Sequence, residues 1–72
     1  MTSLKIETEV AGTVWKIVAA EGATLAAGDT ILIMESMKME IPIEAPRAGQ
    51  LIELRVAEAD VLNEGDVVAL LG

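Results

Sequence analysis

Residues 11–34 read AGTVWKIVAAEGATLAAGDTILIM and residues 48–71 read AGQLIELRVAEADVLNEGDVVALL; the second stretch repeats the first at a displacement of 37 positions. Ala11 and Gly12 fall on Ala48 and Gly49, Ala20 and Glu21 on Ala57 and Glu58, Leu25 on Leu62, and Gly28 and Asp29 on Gly65 and Asp66. The apolar run Ile31, Leu32, Ile33 falls on Val68, Ala69, Leu70. Self-similarity at a fixed offset marks a repeated structural unit, and it governs how every local pattern is read. Each unit runs glycine, strand, loop, Gly-Asp turn, strand.

Strands that occupy equivalent places should agree about which face they bury. Trp15 matches Ile52, Ile17 matches Leu54 and Ala19 matches Val56, whereas Lys16 matches Glu53 and Val18 matches Arg55. The first set is assigned to the core, with Trp15 as a core anchor rather than a binding aromatic. The Gly-Asp pairs fit turns, where glycine tolerates positive φ and aspartate bonds its own backbone. Strands are expected near 4–8, 12–19, 30–35, 39–44, 49–56 and 67–71, with loops around 20–29 and 57–66. Units this short are not stable alone, so they must pack face to face about a pseudo-twofold axis. The fold class is all-β, a flattened barrel or sandwich of two related half-sheets.

The 72 residues suffice for one small domain, spanning 1–72. Hydrophobic residues make up 53% of them, yet Trp15 is the sole aromatic, so aliphatic side chains and methionine must fill the core. Cysteine and histidine are absent, which excludes disulfides, thiolate or imidazole metal sites, and Cys–His or Ser–His catalysis. A net charge of −7 opposes nucleic acid and anionic membrane surfaces and favours basic partner surfaces. The opening segment alternates charged and apolar residues and has no signal-peptide core, and no apolar run reaches membrane-spanning length. These features point to a soluble, cytoplasmic protein.

Outside the repeat lies Glu35 to Arg47, beginning Glu35-Ser36-Met37-Lys38-Met39-Glu40. Propensity alone suggests a helical turn with Glu35 and Lys38 paired. The flanks argue otherwise: Ile31 to Met34 enters as strand, Ile41 and Ile43 leave as strand, and Pro42 forbids a continuing helix. A tight hairpin centred on Met37-Lys38 sets Ser36 against Met39, Glu35 against Glu40 and Met34 against Ile41. Such turns ordinarily take Gly, Asn or Asp for their positive φ values. A Met-Lys turn is locally disfavoured by about 1–3 kcal/mol, a strain tolerated where side-chain identity matters more than turn propensity. Met34 is expected to pack beneath the hairpin, and Pro42 and Pro46 to blunt strands and shape the crossing.

Met37-Lys38-Met39, preceded by Glu35 and followed by an apolar strand, resembles the attachment motif of biotinyl domains, the biotin carboxyl carrier proteins and biotin/lipoyl attachment domains. The likeness extends over about residues 6–71: the glycine opening each unit, the Gly-Asp turns, the midway lysine, and Ala45-Pro46 before Gly49. Ser36 stands where many such domains have alanine, a small-for-small change.

The resemblance implies a barrel-sandwich hybrid with Lys38 carrying covalent biotin, attached by a biotin protein ligase. Biotin then carries carboxylate from a biotin carboxylase to a carboxyltransferase, so the chain is a non-catalytic carrier. Exposed lysine side chains are overwhelmingly protonated at neutral pH, and with no histidine at hand the ligase must assist deprotonation. Met37 and Met39, flexible and polarisable, are the expected recognition contacts. Glu35 fits either a recognition role or, with Glu40, a solvated rim around Lys38. A start at Met1 followed closely by strand favours a free-standing carrier over an excised domain. Two rivals stand beside this reading. A lipoyl domain would use the same lysine but ordinarily has Asp before it and Ala after it, and a plain β interaction module would leave Lys38 unmodified.

Overall fold

The computed structural model describes residues 3–72. Eight strands follow one another: β1 (Leu4–Glu7), β2 (Gly12–Ile17), β3 (Thr24–Leu25), β4 (Thr30–Ser36), β5 (Met39–Glu44), β6 (Gly49–Leu54), β7 (Val61–Leu62) and β8 (Val67–Leu71). They form two four-stranded antiparallel sheets, in the orders β1-β8-β6-β3 and β5-β4-β2-β7. The all-β sandwich expected from the repeat is present, and its symmetry reaches further than the sequence reading did. Each register of β1 on β8 (Leu4↔Leu71, Lys5↔Leu70, Ile6↔Ala69, Glu7↔Val67) recurs 37 positions apart as β5 on β4 (Ile41↔Met34, Pro42↔Ile33, Ile43↔Leu32, Glu44↔Thr30). The matching registers extend the second unit back to Ile41, and the stretch that joins the matched parts shrinks from Glu35–Arg47 to Ser36–Glu40.

Each sheet also mixes the two units. The paired strands β4 and β2 of the first unit are flanked by β5 and β7 of the second, and β8 and β6 are flanked by β1 and β3 of the first. Neither unit owns a sheet.

The core obeys the same symmetry. Among the described residues the buried positions pair at the 37-residue offset: Ile6 with Ile43, Thr8 with Ala45, Val14 with Leu51, Leu25 with Leu62, Ile31 with Val68, Leu32 with Ala69, and Met34 with Leu71. Thr8 is polar where its counterpart is alanine, and its hydroxyl is satisfied locally, donating to the Val10 carbonyl at 2.8 Å and accepting from the Val10 N–H at 3.2 Å.

The expected core face is corrected at its first position. Trp15 and Ile52 are 49% and 50% exposed, whereas Val14 and Leu51 are buried. The cause is a β-bulge in each unit: Val14 pairs with Met34 but Lys16 with Ile33, leaving Trp15 as the extra residue, and Leu51 pairs with Leu71 but Glu53 with Leu70, leaving Ile52. An inserted residue reverses the in–out alternation beyond it. Ile17, Ala19, Leu54 and Val56, beyond the bulge, pack partly buried against the core as expected.

The strands expected to run to 19 and 56 end at Ile17 and Leu54. There the exposed edge is closed by carboxylates exchanged between units: Glu58 accepts from the Ile17 N–H at 3.1 Å, and Glu21 accepts from the Leu54 N–H at 2.8 Å. The stretches expected as loops contain the short strands β3 and β7. Asp29, Asp60 and Asp66 each accept a backbone N–H three residues earlier, the local bond expected of turn aspartates. No helix of the described residues is long and apolar enough to cross a membrane.

Candidate functional site

Strands β4 and β5 meet in the hairpin read from the sequence. Ser36 pairs with Met39, Glu35 with Glu40 and Met34 with Ile41, leaving Met37 and Lys38 as the two turn residues. Their φ values, 53° and 66°, both lie in the left-handed region, the pattern of a type I′ turn. That turn matches the right-handed twist of the strands it joins, which explains why the geometry is adopted. Neither residue is one of the types that enter it at low cost.

The side chains separate cleanly. Met34 is fully buried beneath the hairpin, as expected, and anchors its base. Lys38 is exposed at the tip between Met37 and Met39, which are 91% and 61% exposed. Apolar side chains left so open at a turn contribute nothing to the core, so folding does not explain their presence.

Glu35 and Glu40 are exposed and face each other at the second pair from the turn. Neither forms an ion pair with Lys38; the salt bridge among the described residues joins Arg55 to Glu53 at 3.1 Å. Lys38 thus presents an amine with no ion-pair partner among the described residues, on a two-stranded support. No group of three His, Cys, Asp or Glu among the described residues could hold a metal.

Two features were not legible beforehand. Trp15, against the expectation of a core anchor, stands at the surface and lines a shallow recess of about 240 Å³ with Thr13, Val14, Glu35, Glu58 and Ala59. Gly12 packs so tightly under the hairpin that a Cβ built there would collide with the Glu35 carbonyl. The glycine at the head of each repeat unit carried that signal, since it recurs where no turn requires it.

Residues 5–71 match the family model described as that of the biotin-requiring enzymes, of biotin/lipoyl type. The chain is 42% identical over 65 residues to the biotin/lipoyl attachment protein of Bacillus subtilis, covering 90% of this chain and 89% of that one. It is 36% identical over 66 residues to a biotinylated protein, the TB7.3 homolog of Mycobacterium leprae, covering 92% and 93% of the two chains. The crystal structure of the Kluyveromyces lactis urea carboxylase superimposes on all of this chain with a TM-score of 0.95 and 32% identity, though the chain spans only 6% of that enzyme. Matched over residues 5–71 by the family model and over most of its length by a small attachment protein, the chain belongs to the biotin/lipoyl attachment family.

Proposed function

We propose that Lys38 is the residue on which this biotin carboxyl carrier domain bears its cofactor. The observation that carries the reading is the hairpin tip, where an unpaired lysine amine sits in a left-handed turn between two exposed methionines. A primary amine held clear of the sandwich fits a group joined through its carboxyl carbon. The lysine loses a proton to the ligase, its nitrogen forms an amide with the carboxyl carbon of biotinyl-adenylate, and AMP leaves. Biotin, once attached, supplies a carrier for carboxylate between a biotin carboxylase site and a carboxyltransferase site.

The chain's own residues do the rest by presentation. Strands β4 and β5 hold Lys38 away from the surface, Met34 anchors their base, and Met37 and Met39 give the ligase an apolar surface by which to distinguish this lysine from Lys5 and Lys16. Glu35 offers an electrostatic contact on the same hairpin. The domain has no catalytic part in this scheme, and the acceptor of the carboxylate is chosen by the carboxyltransferase. The test is the intact mass after incubation with biotin, ATP and biotin ligase. One biotinyl increment, abolished in Lys38→Arg, is expected; no increment, or one that survives the substitution, refutes the assignment. A lipoyl increment in its place under lipoyl ligase would support the rival cofactor.

A further inference from the structure

Met37 and Lys38 are exposed, so the ends of β4 and β5 fix their position, and β4 is the strand of the two that rests on the rest of the sheet. There β2 comes unusually close. A Cβ at Gly12 would collide with the Glu35 carbonyl oxygen and lie 3.2 Å from Ser36 Cβ. Gly12 is not among the glycines with positive φ, so close approach rather than conformational freedom requires it. Nor can β2 retreat, because β7 pairs with its other side through Gly12↔Leu62 and Thr13↔Val61. The second unit repeats the arrangement, with a Cβ at Gly49 colliding with the Gly72 carbonyl and lying 3.2 Å from Leu71 Cγ. The contact thus belongs to both units, but only in the first does the strand resting on the glycine continue into the lysine turn.

We propose that Gly12 is a positioning residue for Lys38, allowing β2 to lie against the Glu35–Ser36 peptide and so setting the height and tilt at which the hairpin offers the lysine amine to the ligase. The inference rests on Lys38 being the modified residue. A side chain at position 12 has to lift the Glu35–Ser36 peptide outward, and a tilt at the base of a hairpin grows toward its tip. Misplacing a reacting atom by about 1 Å costs about a hundredfold in rate. The side chains the ligase touches are unchanged, so the loss falls on turnover rather than on binding.

Biotinylation kinetics of the full chain with biotin ligase test this. Gly12→Ala is expected to lower kcat at least tenfold with KM within about twofold, while Lys38 still reacts at the wild-type rate with a small water-soluble acylating reagent. Gly49→Ala makes the equivalent intrusion away from the hairpin and is expected to lower the thermal midpoint while biotinylation keeps its wild-type kcat. If Gly12→Ala does not fold, Ser36→Val crowds the same contact from the hairpin side and is expected to show the same kcat loss. A wild-type kcat in the folded Gly12 or Ser36 variant overturns the proposal, as does an equal loss in Gly49→Ala, which would trace the effect to general destabilisation. Failure of the wild-type chain to be biotinylated would instead overturn the assignment of Lys38.

Discussion

Gly22 and Ala59 occupy equivalent places, 37 residues apart, and make a matched test of backbone strain. Both are left-handed, with φ of 90° and 76°. Each donates its N–H across the sandwich over 2.7 Å, Gly22 to the Leu51 carbonyl and Ala59 to the Val14 carbonyl. The hydrogen bonds hold the two residues in the same conformation, but only one has the side chain that resists it. A non-glycine residue in the left-handed region costs about 1–2 kcal/mol. Glycine forgoes about 0.5–1 kcal/mol of that through the extra freedom of the unfolded chain.

The difference leaves Ala59→Gly more stable by about 0.5–1 kcal/mol and Gly22→Ala less stable by a similar amount. No other atom complicates the second change, because a Cβ at Gly22 meets nothing within 4 Å. In a domain of this size a change of 1 kcal/mol moves the thermal midpoint by about 4–8 °C. Scanning calorimetry on the two variants should show shifts of opposite sign, and the double exchange should return close to the parent midpoint. Shifts of the same sign, or a lower midpoint for Ala59→Gly, would refute the idea that left-handed strain is stored at position 59.

Removing either exchanged carboxylate, as Glu21→Ala or Glu58→Ala, should cost about 0.5–1.5 kcal/mol by urea denaturation, with Gln costing less because it keeps an acceptor for the strand N–H. Similar losses at the two positions would reflect their equivalent bonds to Leu54 and Ile17. Leu51→Ala should cost about 2–5 kcal/mol and Ile52→Ala under about 1 kcal/mol, measured as denaturation midpoints; the reverse order would contradict the bulge assignment. Met37→Thr or Met39→Val should slow biotinylation of a domain that remains folded, and unaltered ligase kinetics would remove methionine recognition from the account.

The hairpin was readable residue by residue because three constraints met on a few positions: strand on both sides, a proline that bars helix, and a length that permits only a two-residue turn. Trp15 was misplaced for an opposite reason. Agreement between the units served as the check on which face is buried, but the bulge is itself duplicated, so Trp15 and Ile52 were wrong together. A repeat tests for consistency and is silent about an error it shares. Strands β3 and β7 are two residues each, too short for any alternation to register. The kinship of β1 with β5 leaves a trace, since Ile6 and Glu7 recur as Ile43 and Glu44 at the same offset, but two matched positions without a flanking glycine are too weak a signal to define a repeat.

In a core where each buried residue has a twin, a substitution is constrained by the packing around it and by the need for both copies to keep one geometry. The segment Ser36–Glu40 joins the two sets of twins. It is the seam between two interlocked copies, and beyond Ser36, which lies against Gly12, the sandwich asks of it only a left-handed turn that spans the gap. Its residues are therefore free to answer to partners instead of to packing. A recognition sequence can be rewritten at its exposed positions, Met37 to Glu40, wherever the left-handed turn is kept, which makes the joint between the copies the most adaptable point of an otherwise doubly constrained molecule.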